Sequence, residues 1–124
     1  MEKAKILLVD DESDVTRILS KRLGRRGFEC QTAANGQEAV DAMGQYVYGV
    51  IIMDVKMPVM DGMEALPQAV EISPETVIVM VTGCNDRQQI AQAAGLGAKG
   101  YILKPLRPAY VEGLVRKLFG ARQG

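Results

Sequence analysis

The chain contains no histidine. That excludes histidine-based catalytic triads, histidine metal sites and a phosphohistidine carried by this chain itself. Cysteine is scarce: Cys30 and Cys84 fall in different predicted elements and have no metal-ligand spacing, so reduced thiols in a cytosolic setting are expected. No apolar run comes near the roughly 20 residues that span a bilayer. Glu2 is acidic and strand-like residues follow at once, unlike a secretory signal, so a cytoplasmic location is expected. Neither sign of charge is in excess, since 15 basic and 15 acidic residues cancel. That argues against direct nucleic-acid binding and against a membrane surface. Basic clusters occur at Lys21, Arg22, Arg25 and Arg26 and at Arg116 and Lys117. Each is predicted at a helix end, where cations suit the macrodipole.

What is present is an alternation. The 124 residues suit one domain, and an apolar fraction of 48% is enough for a core. Strand-like runs occur at 5–9, 29–33, 50–54, 77–82 and 100–103, and the apolar, β-branched-rich runs at 5–9 and 50–53 read as buried parallel strands. Helices are predicted between them. In the first, Val15, Ile18, Leu19 and Leu23 share a face, with Ser13 as N-cap and Gly24 or Gly27 near the end. The second opens Asn35-Gly36-Gln37-Glu38, a cap residue followed at N3 by Glu. The third follows Asp61-Gly62 and contains Pro67, which is predicted to kink the helix or delay its first turn. The fourth begins at Asn85. The fifth has Pro108 at its first position, with Arg107 where a capping side chain would stand. The domain is expected over residues 1–120, with 121–124 as a disordered tail. Strands alternating with helices give an α/β fold, a single doubly wound parallel sheet with right-handed crossovers.

In such sheets, ligands bind beyond the carboxyl ends of the strands. Strand one ends in Asp10, Asp11 and Glu12, and strand three in Asp54, followed by Val55 and Lys56. Strand four gives Thr82, Gly83 and Cys84, and strand five gives Lys104-Pro105. If strands one and three are neighbours, three carboxylates share one crevice. They cannot all stay ionised without a cation, so a bound metal or a raised pKa is expected. Carboxylates suit Mg²⁺, and a carboxylate can itself be a nucleophile, as in aspartyl-phosphate chemistry. Phosphoryl transfer needs positioned positive charge more than proton shuttling. The Lys104 ammonium, the Thr82 hydroxyl and a Mg²⁺ ion could each take one phosphoryl oxygen, and Gly83 leaves room for a backbone N–H.

The segments Leu8-Val9-Asp10-Asp11-Glu12, Met53-Asp54-Val55-Lys56-Met57-Pro58-Val59-Met60-Asp61-Gly62, Val81-Thr82-Gly83 and Lys104-Pro105 together resemble the receiver domain of two-component response regulators, over essentially the whole chain. The resemblance implies a flavodoxin-like sheet of five strands in the order 2-1-3-4-5 with five helices. It implies that Asp54 is the phosphoacceptor. Asp11, with Asp10 directly or through water, would hold Mg²⁺ beside Asp54, and Lys56 would offer its backbone carbonyl. Lys104 and Thr82 would bind phosphoryl oxygens, Tyr101 would be the aromatic switch coupled to Thr82, and the peptide before Pro105 would be cis. The implied partner is a histidine kinase or histidine phosphotransfer protein. The implied read-out is the face of the fourth helix, fifth strand and fifth helix (Gln89, Gln92, Lys99, Tyr101, Tyr110), through a partner or a homodimer. Lys56 and Cys84 stand at variable positions near the phosphoryl group and are expected to tune its lifetime.

Three other readings compete. A silent receiver would act only as an interaction module. A Mg²⁺-dependent aspartyl-phosphate phosphohydrolase of the haloacid-dehalogenase type would have a second Asp two residues after the nucleophile, where Lys56 stands. A flavodoxin-like cofactor binder would need an anion loop, which Asp10-Asp11-Glu12 opposes.

Overall fold

Five strands and five helices alternate in the computed structural model, which describes residues 4–123. In chain order they are β1 (Lys5–Val9), α1 (Ser13–Gly24), β2 (Glu29–Ala33), α2 (Gly36–Met43) and β3 (Val50–Asp54), then α3 (Gly62–Ile72), β4 (Val77–Thr82), α4 (Arg87–Gly95), β5 (Gly100–Leu103) and α5 (Pro108–Gln123). All strand pairs are parallel, in the order β2-β1-β3-β4-β5. The five strand ranges coincide with those predicted from the sequence.

Side chains alternate across the sheet and build a core on each face. Leu7, Val9, Ile51, Met53, Ile78 and Met80 face Met43, Leu66, Ala69 and Ala93 of α2, α3 and α4. Ile6, Leu8, Ile52 and Val81 face Leu19 and Leu23 of α1 and Val111 and Val115 of α5. Burial on both faces explains why β1, β3 and β4 read as apolar runs, whereas β2 at the sheet edge is polar and mostly not buried.

The helix ends depart from expectation. Glu12, not Ser13, is the N-cap of α1, and its side chain makes no capping bond. The buried stripe of α1 is Thr16, Leu19 and Leu23, and it leaves Ile18 47% exposed. The first turn of α3 forms despite Pro67, because a capping box holds it. The Asp61 carboxylate accepts the Glu64 N–H at 2.8 Å, and the Glu64 carboxylate accepts the Asp61 N–H at 3.2 Å. In α4, Asp86 is the cap rather than Asn85, accepting from Gln88 at 2.9 Å. Arg107 caps α5 with its backbone: its carbonyl accepts the Val111 N–H at 3.0 Å.

The α5 backbone stays helical through Gln123, and Ala, Arg and Gln at 121–123 are all good helix formers. Residues 1–3 and 124 of the expected domain and tail lie outside the described residues. Arg116 and Lys117 therefore lie inside α5, not at its end, and the dipole account fails for them. The two basic clusters instead meet at one acid. Glu112, whose side chain is 10% exposed, accepts from Arg22 Nε at 2.9 Å, with Arg26 Nε at 3.3 Å and Arg116 at 3.8 Å. The bond from Arg22, with Arg26 adding to it, holds the Glu112 carboxyl below its usual range. No helix among the described residues is long and apolar enough to cross a membrane.

Candidate functional site

Strand register places the site. Val9 pairs with Met53, Asp54 with Val81, and Thr82 with Leu103. Asp10, one residue past Val9, thus comes level with Asp54, while Thr82 and Lys104 each stand one residue past a partner on their strands. Four strand ends deliver their polar residues to one edge of the sheet.

Asp54 and Asp10 are 3% and 6% exposed, Thr82 is buried, and Asp11 is exposed. One carboxylate oxygen from each of Asp10, Asp11 and Asp54 lies within 4.8 Å of the others. The Lys104 ammonium sits 2.8 Å from Asp54 Oδ2. The Lys104–Pro105 peptide is cis, and the Lys104 N–H donates to the Thr82 carbonyl at 2.8 Å. Asp10 is aimed by the turn after β1: its N–H reaches the Ala33 carbonyl at 3.0 Å, and its carboxylate accepts the Glu12 N–H at 2.9 Å.

The electrostatics follow from this crowding. Burial raises the Asp10 pKa and the Asp54 charge adds to the rise, while the Glu12 N–H bond and Lys104 oppose it. The bond to Asp54 raises the Lys104 pKa against the effect of its own burial. The crevice is therefore short of positive charge even with one ammonium in it. Three converging carboxylates fit a hard divalent cation that takes oxygen ligands. A cleft of about 470 Å³ opens beside them between Asp10, Glu12 and Val15 on one side and Gly83, Lys104 and Pro105 on the other. It leaves room for a phosphoryl group.

Other predicted residues sit around this pocket. Lys56 and Cys84 are exposed in the loops after β3 and β4. The Thr82 hydroxyl accepts the Cys84 N–H at 3.2 Å. Gly83 has open space where a side chain would be. Tyr101 is half-buried on β5, and its hydroxyl donates to the Gln89 side chain on α4. Burial raises the Tyr101 pKa and the Thr82 side chain opposes that rise, so the two expected switch residues are neighbours.

Sequence reasoning missed two glycines. A Cβ on Gly62 would lie 2.3 Å from the Asp54 carbonyl oxygen, and one on Gly36 would lie 2.7 Å from the Met60 carbonyl oxygen. These close approaches seat α2 and α3 against the exit of β3. In the sequence Asp61-Gly62 marks only the start of the third helix and the end of a motif. The resemblance places Gln89 and Tyr101 on one face, but nothing local in the sequence points to the bond between them.

The strand order and the polar carboxyl edge define the flavodoxin-like receiver fold. A family model described as the response regulator receiver domain matches residues 6–116, and the chain belongs to that family. It is 36% identical over 118 residues to the probable transcriptional regulator ycf27 of Cyanophora paradoxa, covering 95% of this chain and 49% of that protein. The chain spans about half the length of such curated relatives. It is similar to a CheY-like receiver domain protein of Methanospirillum hungatei, with TM-score 0.89, 28% identity, and 99% of this chain and 100% of that one covered. It is also similar to the receiver in a CheX-CheY-BeF3-Mg+2 complex from Borrelia burgdorferi, with TM-score 0.86, 29% identity, and 94% of this chain and 89% of that one covered.

Proposed function

We propose that this receiver accepts a phosphoryl group on Asp54 from the phosphohistidine of a histidine kinase or histidine phosphotransfer protein in the cytoplasm. The observation that carries this is the convergence of Asp10, Asp11 and Asp54 with the Lys104 ammonium 2.8 Å from Asp54. The Asp10, Asp11 and Asp54 carboxylates and the Lys56 carbonyl would hold Mg²⁺, which supplies charge against the phosphoryl oxygens when bound. The donor's N–P bond breaks, an Asp54 oxygen forms the new P–O bond, and the imidazole leaves with the electron pair. Lys104 turns from the Asp54 carboxylate to a phosphoryl oxygen. The Thr82 hydroxyl takes another and draws away from its contacts with the Cys84 N–H and Tyr101.

Phosphorylation then shifts a two-state equilibrium through Tyr101 to the face of α4, β5 and α5. A downstream partner, or a homodimer through that face, reads the state. The Borrelia burgdorferi relative, solved in a complex with CheX, BeF3 and Mg+2, supports both a metal and a protein partner. No observation favours a silent receiver, since no expected pocket residue is missing. Lys56, where a phosphohydrolase would carry a second Asp, argues against turnover of an external ester. Acetyl phosphate with Mg²⁺ should label the wild type and not Asp54→Asn. Label that persists in the variant would refute Asp54 as acceptor.

A further inference from the structure

A net charge of zero hides a segregation of charge along the chain. From residue 27 to residue 86 there is one base, Lys56, against nine acids, so the other bases all fall in the flanking stretches. The fold turns this division in sequence into a division in space. α2 and α3 come from the acidic stretch and pack side by side on one face of the sheet. Glu38, Asp41, Glu64 and Glu71 are all exposed there, and neither helix contains a base. α1 and α5 come from the flanks and pack side by side on the opposite face. Exposed Arg17, Lys21 and Arg25 follow one another along α1 and its C-cap at four-residue steps, and Lys117 is exposed on α5.

The basic face is not neutralised from within. Glu112 offers one carboxylate to three guanidiniums, those of Arg22, Arg26 and Arg116, and so leaves a positive surplus. Lys21, Arg25 and Lys117 have no ion pair among the described residues, and neither do Glu71 and Glu75 on the other side. Each charged face also exposes a large apolar side chain. Ile18 on α1 is 47% exposed, with Lys21, Arg22 and Arg25 three, four and seven residues on and so around it on the helix surface. Ile72 at the end of α3 is 44% exposed and stands between Glu71 and Glu75 in the chain. An apolar centre within a charged rim is the anatomy of an interface.

We propose that the α1–α5 face of one copy docks on the α2–α3 face of a second copy, with Ile18 set against Ile72, so that copies associate front to back. Charge selects the occupant: the acidic helix pair that complements α1 and α5 is present on every copy. Two α1–α5 faces brought together would instead oppose like charges. A contact between two different faces is heterologous and continues from copy to copy unless the rotation closes a ring. The Asp54 pocket lies at the carboxyl edge of the sheet and on neither face, so each stacked copy keeps its carboxylates open.

Light scattering on wild type from about 0.01 to about 1 mM tests the association. At low salt the average mass should climb with concentration past that of a dimer. The association constant should fall about tenfold or more between about 0.01 and about 1 M salt, across which the screening length shrinks from about 30 Å to about 3 Å. Two double variants test the faces. Lys21→Glu with Arg25→Glu sets acids beside Ile18, where they meet the acids beside Ile72. Glu71→Lys with Glu75→Lys sets bases beside Ile72, where they meet the bases beside Ile18. Each should melt close to wild type and stay monomeric alone, and the two mixed in equal amounts should associate, because opposite charges then meet at every junction. Should a double variant fail to fold, Lys21→Ala and Glu71→Ala take its place, each lowering the association constant about threefold. A wild type that stays monomeric at low salt would overturn the proposal and leave the basic face to some other anion. A mass that levels off at a dimer, association that either folded double variant retains, or a mixture of folded variants that stays monomeric would overturn it equally.

Discussion

Lys104 and Asp54, 50 residues apart in sequence, meet at 2.8 Å, and no other cationic side chain pairs with that carboxylate among the described residues. Replacing Lys104 by Ala leaves an enclosed carboxylate beside Asp10 with no ion partner. Broken buried pairs cost about 3–5 kcal/mol and exposed ones about 1 or less, so a half-exposed lysine here implies a loss of about 1–3 kcal/mol. Mg²⁺ should restore part of it by neutralising the same cluster. Urea unfolding with EDTA and with Mg²⁺ measures both, and equal stability of variant and wild type in EDTA would contradict the pairing.

Asp10 gives a pH dependence of definite sign. Its folded pKa lies above the ordinary 3.8, so the folded state binds the proton more tightly than the unfolded state. The stability this contributes is present below 3.8 and is lost as pH rises through the folded pKa. Asp10→Asn keeps the acceptor for the Glu12 N–H but removes the charge. In metal-free buffer the variant should melt a few degrees higher at pH 7 and converge with wild type in acid. It should also bind Mg²⁺ more weakly. Melting curves across pH read the difference, and convergence at neutral rather than acid pH would reverse the assignment.

Glu112 should behave in the opposite way. The bond from Arg22 holds its pKa below the ordinary 4.5, so its contribution is present above 4.5 and is lost as pH falls through the folded pKa. Glu112→Gln should flatten the acid limb of the stability curve. It should also speed amide exchange in the last turn of α1, where Arg22 is held. Unchanged exchange there would show that the Arg22 and Arg26 bonds do not tie α1 to α5.

Two glycines at the pocket should differ sharply. A Cβ at Gly62 meets the Asp54 carbonyl at 2.3 Å and Met80 Cε at 2.9 Å, whereas a Cβ at Gly83 meets nothing within 4 Å. Gly62→Ala should cost about 2 kcal/mol or more and displace the phosphoacceptor, while Gly83→Ala should stay within about 0.5 kcal/mol. Thermal unfolding and acetyl phosphate labelling of the two variants decide it.

The centre of the sheet was legible because β1, β3 and β4 are buried apolar blocks, and each of the four pocket strands stops at a polar residue. Asp10, Asp54, Thr82 and Lys104 could be assigned to one edge for that reason. Helix starts were less legible, because caps depend on where the chain enters. Ser13 has the chemistry of a cap, but the turn at Asp10 already engages the Glu12 N–H, and the helix begins one residue earlier than that chemistry suggests. Pro67 signalled a weak α3 that a reciprocal cap at Asp61 and Glu64 overrides. The meeting of Arg22 with Glu112 spans 90 residues and has no local trace.

Ala93 is the only buried residue of α4, fewer than in any other helix described. Native-state opening begins where little apolar area must be re-wetted, so α4 should detach from the sheet at a small fraction of the free energy of global unfolding. The resting protein would then already sample displaced forms of that helix, and a ligand that grips one of them need supply only the small remaining difference.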